Sequence, residues 1–318
     1  MKVNIPLVSN QNDGFGIMAK EIGASLRSFD HEVINDLALN DTSDLILNFA
    51  HPHQFRYADS TPVIGYMPWE STGARDGWRK HLSLVDDVWV TSPWLRDVVR
   101  DWGYDPYVYE HGLNPKFTRK SRIGPGKIRF LHVGMEAYRK GAFEAIRSFR
   151  QAFGNRDDVE LVVKTKASSM PHMPYPNVTI IDENLDFDDM IALYHSCDVF
   201  LFPSYGEGFG LPARDAAATG MPVVTTSGFA PYESMLHPDL RIKSELIDSP
   251  WPVVHPGKMY KPNIDHTVDI LRRVVDDFNI YADHAYRQSS LLHQTYNWEY
   301  RTGLALKRVQ DKFGIDVS

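Results

Sequence analysis

The amino-acid sequence predicts an α/β protein built from two Rossmann-like domains with parallel sheets. Three observations support this prediction. The chain has 318 residues, more than one compact hydrophobic core usually contains. Short apolar runs alternate with helical patterns from end to end, as in stacked βαβ units. A segment at 119–127 combines charge, glycine and proline without apolar periodicity, and this composition is typical of a linker between two domains.

The first series of elements precedes this linker. Helical periodicity is clearest at Gly16–Phe29 and Pro93–Trp102. The predicted strands are Lys2–Val8, Glu32–Asn35, Asp44–Phe49, Thr61–Tyr66, Asp87–Val90 and Val108–Glu110. We therefore expect a first domain over 1–118, which a C-terminal segment at about 298–318 completes.

The second series begins directly after the linker. Its predicted strands are Ile128–Val133, Val159–Lys164, Val178–Ile181, Val199–Phe202 and Pro222–Thr225. Its predicted helices are Ala142–Phe153, Phe187–Ser196 and Pro212–Thr219, and the chain looks helical throughout from Asp265. These elements predict a second domain over 119–297 that faces the first across a cleft. Ligands of such sheets bind beyond the carboxyl ends of the strands, so we look for functional residues there.

Composition excludes several classes of protein. The formal charge of −7 gives no broad basic excess for a nucleic-acid partner. Cys197 is the only cysteine, which rules out an intramolecular disulfide and a thiolate zinc site. No apolar run approaches the roughly 20 residues that cross a bilayer, and the N-terminus resembles a strand more than a signal peptide. We expect a cytoplasmic protein.

A glycine-rich turn follows the apolar run Val199–Phe202. It reads Ser204-Tyr-Gly-Glu-Gly-Phe-Gly210 and leads into a helical pattern near Pro212. The glycines let the backbone approach a ligand closely, and the helix N-terminus offers unpaired N–H groups and partial positive charge. Glu207 would repel phosphate, so it suits sugar hydroxyls better. Taken alone, such a turn could equally be a tight connection with an incidental carboxylate.

The wider segment resembles a family signature. The pattern E-G-F-G-L-P-x-x-E-A-x-A-x-G-x-P-V-V of retaining GT-B glycosyltransferases, especially family 4 (glycosyl transferases group 1), is matched by Glu207–Pro212 and by the residues from Asp215 to Val224. The resemblance implies that Glu207 contacts the transferred sugar and that Asp215, one methylene shorter than the usual glutamate, contacts the nucleotide ribose. It implies donor contacts for Gly208, Phe209, Gly210 and Leu211 as well.

The same resemblance implies an activity. A GT-B enzyme of this kind moves a hexose-like sugar from a nucleoside diphosphate, UDP or GDP, to an acceptor hydroxyl with retention of configuration. It needs no tightly bound cofactor and no metal. Its C-terminal helix crosses back to the first domain.

The donor diphosphate requires cations. The segment Gly134-Met-Glu-Ala-Tyr-Arg-Lys-Gly141 resembles the arginine-plus-Lys-Gly element of the family. Lys140 matches the lysine, whereas Met135 stands where many relatives carry arginine, so Arg139 is the substitute candidate. Lys164, at the end of a predicted strand, is a further candidate. Cations over a leaving diphosphate stabilise the charge that develops as the glycosidic bond breaks.

The first domain contributes weaker candidates. Gly14 and Gly16 resemble the first glycine loop of the family and are predicted near the donor phosphate, although this loop lacks the full dinucleotide fingerprint. Either His51 or His53 is predicted to face the donor sugar and take part in catalysis with Glu207 and Lys140. Two further residues, Glu70 and Trp69, are predicted to contact the acceptor.

Other interpretations stay open at this stage. A catalytically silent relative that acts as a binding module is compatible with Met135 and Asp215, and a nucleotide-sugar 2-epimerase shares the architecture. The acceptor is undetermined among a glycan, a lipid-linked sugar, a protein and a modified base. Peripheral membrane contact and a homodimer are open as well.

Overall fold

Each half of the chain builds a six-stranded parallel sheet with helices around it. The computed structural model describes residues 1–6, 14–122, 124, 126–165 and 175–317. The first unit comprises Met1–Asn114, Ser249–Gly257 and Tyr296–Ser318, and the second comprises Pro115–Asp248 and Lys258–Thr295.

The sheet of the first unit has the strand order β2-β1-β3-β4-β5-β6, and every neighbouring pair is parallel. Its strands are β1 (Lys2–Asn4), β2 (Glu32–Ile34), β3 (Leu45–Phe49), β4 (Val63–Met67), β5 (Asp87–Val90) and β6 (Tyr107–Val108). The helices are α1 (Gly14–Arg27), α2 (Trp78–Leu82) and α3 (Pro93–Asp101). The first predicted strand is shorter than expected, and residues 7 and 8 lie outside the described part of the chain.

The last helix, α9 (Trp298–Phe313), belongs to this first unit. The hydroxyl of Thr302 lies 2.7 Å from that of Ser25 and 2.9 Å from that of Tyr109. Arg308 donates two hydrogen bonds of 2.9 Å to the buried carboxylate of Asp87. The predicted return of the C-terminal helix to the first domain is therefore confirmed.

The second unit repeats the architecture with the strand order β12-β11-β10-β7-β8-β9. Its strands are β7 (Ile128–Val133), β8 (Val159–Lys164), β9 (Val178–Ile181), β10 (Val199–Phe202), β11 (Val223–Thr226) and β12 (Arg241–Ile242). Its helices are α4 (Ala142–Phe153), α5 (Phe187–Ser196), α6 (Leu211–Ala218), α7 (Ile264–Asp276) and α8 (Phe278–Thr295). Strand β10 is an apolar run that is buried throughout, and β7 and β8 are buried at their centres, whereas β9 at the edge of the sheet is only partly buried.

One feature of the fold was not predicted. Strands β13 (Ser244–Asp248) and β14 (Lys258–Pro262) form an antiparallel hairpin, and the segment between them belongs to the first unit. Pro256 O accepts hydrogen bonds from Gly73 N at 3.0 Å and from Ser71 Oγ at 2.8 Å, which fixes this segment beside the residues that follow β4.

Across the described residues, we find no helix with the length and apolarity that crossing a membrane requires.

Candidate functional site

Two loops of the second unit emerge at the same edge of its sheet. Residues 134–141 connect β7 to α4, and residues 203–210 connect β10 to α6. Strands β7 and β10 are hydrogen-bonded neighbours and parallel, so their carboxyl ends lie side by side. The sheet thus brings together the two segments that the sequence singles out.

Glu207 is the centre of this arrangement. It is only 3% exposed, and its carboxylate accepts hydrogen bonds from Lys140 Nζ at 2.5 Å and from Ser204 Oγ at 2.7 Å. Arg139 Nη1 lies 3.3 Å from the same oxygen that Ser204 contacts. A buried carboxylate is costly unless it is paired and hydrogen-bonded. Two cations and a hydroxyl satisfy that requirement here and fix the position of the side chain.

Arg139 ties the two loops together. Its Nε donates to Glu136 Oε2 at 2.6 Å and its Nη1 to Gly206 O at 2.8 Å. The residue is 7% exposed. These contacts make Arg139 an anchor for Glu207 in the structure, and its expected contact with phosphate stays a prediction.

The stem of Lys140 runs over the end of the sheet. Its ammonium lies 5.7 Å from the centre of the Phe202 ring. His132 is fully buried in β7, and its Nδ1 is bonded to Leu201 O at 2.9 Å. Burial lowers the pKa of His132 to about 4, and the positive charge of Lys140 adds to that effect. Lys140 therefore stands beside a neutral imidazole that does not compete for its counter-ions.

Lys164 is the last residue of β8, the other neighbour of β7. Its carbonyl accepts a hydrogen bond from Gly134 N at 3.0 Å, which fixes the start of the first loop. Burial lowers the pKa of Lys164, and the nearby carboxylates of Asp182 and Glu183 oppose this shift. Lys164 thus lies at the strand end where the sequence predicts it.

Two glycines of these loops make close contacts that a side chain would prevent, Gly141 with the other loop and Gly210 with Tyr232. Gly141 has φ +77°, and a Cβ there would lie 2.0 Å from Pro203 O. Gly210 has φ +83°, and its carbonyl accepts a hydrogen bond of 2.6 Å from the hydroxyl of Tyr232. Residues with a side chain rarely adopt this left-handed backbone conformation, and neither position has room for a Cβ atom.

The remaining residues of the signature divide by side-chain exposure. Phe209 is 3% exposed and packs edge-on against Tyr232, so its ring belongs to the core and a ligand would meet its backbone. Gly208 is buried, and Leu211 is partly buried at the first turn of α6. At the N-terminus of α6, these residues would therefore contact a ligand through their main chain.

Asp215 follows on the same helix. Its Oδ1 accepts hydrogen bonds from Arg214 Nε at 2.9 Å and from Arg214 Nη2 at 2.6 Å. The Asp215 side chain keeps 14% of its surface exposed, whereas that of Arg214 keeps 2%. Arg214 was not predicted to have a role, although it lies inside the signature. Ser204 and Glu136 were likewise not anticipated.

In the first unit, His51 lies among aromatic rings after β3. The centres of the Phe15, Trp69 and Trp78 rings are 5.0, 5.7 and 5.2 Å from that of His51. Burial lowers the pKa of His51 to about 4, against the opposing effect of the Glu70 carboxylate. His51 is therefore neutral near pH 7.

His53 is more exposed and has a structural contact. Its Nδ1 accepts a hydrogen bond of 3.2 Å from the indole of Trp78. Partial burial lowers the pKa of His53, as does the charge of Arg75. His53 also stacks on the Trp78 ring with centres 6.2 Å apart, so both histidines border this ring cluster, and His51 is the more buried of the two.

Glu70 and Trp69 follow β4. The Glu70 carboxylate lies 3.6 Å from His255 Nδ1 and is 16% exposed at its side chain. Trp69 has no exposed surface, and its indole donates a 2.8 Å hydrogen bond to Gly73 O. The expected direct contact of Trp69 with an acceptor does not fit this position, because the ring is enclosed in the core. Trp69 instead supports the segment that carries Glu70.

The two predicted glycines of the first unit open α1. Gly14 is its first residue and is exposed, and Gly16 is buried in its first turn. The preceding part of that loop, at 7–13, lies outside the described residues. The phosphate contact of these glycines stays a prediction.

Comparison with known proteins agrees with this site. Residues 127–239, which contain both loops, match the family model described as Glycosyl transferases group 1. The predicted resemblance to group 1 glycosyltransferases is confirmed. The matched region lies entirely within the second unit and includes Glu207, Lys140 and Asp215.

Similar sequences cover part of the chain. Glycogen synthase of Mycobacterium tuberculosis is 29% identical over 120 residues, which is 36% of this chain and 28% of that protein. The capsular polysaccharide biosynthesis glycosyltransferase CapM of Staphylococcus aureus is 32% identical over 105 residues, 30% of this chain and 27% of that protein. The chain therefore aligns with less than a third of the length of either relative.

Solved structures establish the fold over almost the whole chain. Sucrose-phosphate synthase from Thermosynechococcus elongatus superposes with a TM-score of 0.75 at 15% identity, covering 98% of this chain and 99% of that one. HepE of Anabaena, in complex with UDP-glucose, superposes with a TM-score of 0.70 at 12% identity, covering 98% and 100%. The chain has the GT-B fold.

Proposed function

We propose that this protein is a glycosyltransferase that moves a sugar from a nucleoside-diphosphate sugar to an acceptor hydroxyl with retention of configuration. The observation that carries the proposal is the buried carboxylate of Glu207, which Lys140, Arg139 and Ser204 hold at the carboxyl edge of a Rossmann-like sheet. A carboxylate that accepts hydrogen bonds, next to the N-terminus of α6, is suited to bind a hydroxyl-rich group that is attached to an anion. The match of this segment to group 1 glycosyltransferases supports the same ligand.

In this proposal the lysines and the arginine have different tasks. Lys140 and Lys164 face the diphosphate and stabilise the charge that develops on it as the glycosidic bond breaks. Arg139 holds Glu207 in place through the two loops. Glu207 accepts hydrogen bonds from the sugar hydroxyls, and Asp215 accepts them from the ribose. The backbone of 208–211 completes the donor pocket.

The reaction would proceed without an enzymic nucleophile. The departing phosphate takes the proton of the acceptor hydroxyl, while the protein positions both groups and excludes water. Because Lys140 and Lys164 supply positive charge, the proposal includes no metal. Added EDTA should leave the rate unchanged.

The first unit would provide the acceptor side. We assign residues 1–118, with about 298–318, to this role, and Glu70 is the candidate whose carboxylate stays partly exposed. His51, which is neutral near pH 7, would face the donor sugar as a hydrogen-bonding partner. Gly14 and Gly16 would place the N-terminus of α1 near the donor phosphate.

A screen for release of nucleoside diphosphate tests the proposal. UDP-glucose is the first probe, because the similar HepE is described in complex with it, and a panel of UDP-, GDP- and ADP-sugars follows. We expect slow hydrolysis of at least one donor, and loss of it in Glu207→Ala. Failure of every sugar nucleotide to bind would refute the enzymatic proposal, and binding without turnover would favour a silent relative. Recovery of an epimerised nucleotide-sugar would favour a 2-epimerase.

A further inference from the structure

Arg214 is a buried cation whose position the proposed function does not explain. It lies in the first turns of α6 and is 1% exposed. Burying a guanidinium is costly unless a partner compensates the charge. The carboxylate of Asp215, its immediate neighbour, supplies this compensation through two hydrogen bonds to one oxygen.

The contact between these neighbours is not a default of helix geometry. Successive residues of an α-helix point about 100° apart, so side chains at i and i+1 do not face each other. The Arg214 side chain must bend to bring both Nε and Nη2 to Asp215 Oδ1 at 2.9 and 2.6 Å. Its guanidinium also lies 5.4 Å from the centre of the Phe209 ring, which covers it from the loop side.

The exposure of the pair is asymmetric. The Asp215 side chain retains 14% of its surface and the Arg214 side chain 2%. A ligand at this edge can therefore reach the carboxylate but not the guanidinium. Asp215 is thus the member of the pair through which Arg214 can act on a ligand.

We propose that Arg214 is a positioning residue that fixes the Asp215 carboxylate to accept hydrogen bonds from the ribose hydroxyls of the donor nucleotide. This inference rests on the proposed nucleotide-sugar donor. An aspartate carboxylate has fewer torsions than a glutamate and less reach. Two N–H donors on one oxygen stop its rotation, so the carboxylate presents one orientation to the ligand.

The experiment measures discrimination for the ribose hydroxyls. UDP, GDP and ADP are titrated calorimetrically into the wild-type protein, and the tightest binder is compared with its 2′,3′-dideoxy analogue. We expect the analogue to bind about 10- to 100-fold more weakly, because a hydrogen bond to a charged group contributes about 1.5–3 kcal/mol. In Arg214→Lys and Arg214→Met, the ratio of the analogue's Kd to that of the nucleotide should fall below about threefold. The affinity for the analogue itself should hardly change.

Arg122→Met is the matched control. Arg122 is a second buried arginine of the same unit, 6% exposed, and its Nε and Nη1 donate to the carbonyls of Cys197 and Thr219 at 2.8 Å. Its removal should lower stability and leave the ribose discrimination intact. Arg214→Lys retains charge and volume, so it tests the inference even if Arg214→Met fails to fold.

Three results would overturn the inference. One is an unchanged ratio in both Arg214 variants, and another is an equal loss of affinity for the nucleotide and its analogue, which marks a purely structural residue. The third is a wild-type protein that binds the nucleotide without discriminating against the analogue. Failure of all three nucleotides to bind is a different result, because it refutes the proposed donor itself.

Discussion

Replacing Lys140 by methionine removes the shortest contact of the site and keeps the apolar stem. Glu207 then loses its 2.5 Å partner but retains Ser204 at 2.7 Å and Arg139 at 3.3 Å. Removing a hydrogen bond to a charged group costs about 1.5–3 kcal/mol. We expect a decrease of about 1–3 kcal/mol in the free energy of unfolding, since two donors remain. The fold should survive this loss.

The effect on turnover should be larger. If Lys140 stabilises the leaving diphosphate, its loss should lower kcat by about 10²–10³-fold. The assay combines urea unfolding with release of nucleoside diphosphate under saturating donor. Lys258→Met is the control, because Lys258 of the same unit pairs with Asp248 at an exposed site, where ion pairs contribute about 0–1 kcal/mol. Wild-type turnover in a folded Lys140→Met variant would refute the assignment.

Three further predictions concern other parts of the molecule. Gly141→Ala should destabilise the second unit by more than about 2 kcal/mol in urea unfolding, because a Cβ at φ +77° would lie 2.0 Å from Pro203 O; a change below 0.5 kcal/mol or so would contradict this. His132 should make stability depend on pH, because its pKa is about 4 in the folded state and ordinarily 6.5. As pH falls, the unfolded state therefore binds the proton first. The free energy of unfolding should decrease by up to about 3 kcal/mol between pH 6.5 and pH 4. Urea unfolding of His132→Asn should show a weaker loss over that range, and an identical pH profile would exclude His132 as the cause. Glu70→Gln should lower transfer to an acceptor glycoside about tenfold and leave donor hydrolysis within about twofold; a parallel loss of both rates would place Glu70 on the donor side.

Much of the second unit could be predicted from its sequence. Strands β7, β8, β9 and β10 have the predicted bounds, because short apolar runs between polar turns have few alternatives in a doubly covered sheet. The hairpin of β13 and β14 was missed. Its strands, Ser-Glu-Leu-Ile-Asp and Lys-Met-Tyr-Lys-Pro, are mostly polar, and tertiary contacts decide their pairing.

In the site, too, the sequence predicts the individual residues, whereas the contacts between distant residues depend on the fold. The signature identified Glu207 and the Lys-Gly element identified Lys140, but their ion pair joins residues 67 positions apart. Only the parallel pairing of β7 with β10 brings them together. The role of Arg139 between the loops depends on that pairing too, and so it could not be read from the spacing of residues. The enclosure of Trp69 likewise depends on residues that are distant in the sequence, such as His255 in the segment 249–257.

We propose that the two loops of the second unit bind a nucleotide-sugar. A crystal structure with the sugar nucleotide that the screen identifies tests it most directly. We expect Glu207 oxygens within about 3 Å of sugar hydroxyls, Lys140 Nζ at a similar distance from a diphosphate oxygen, and the Asp215 carboxylate at the ribose. A nucleotide-sugar bound elsewhere, or one at this edge with its sugar away from Glu207, would contradict the proposed donor site.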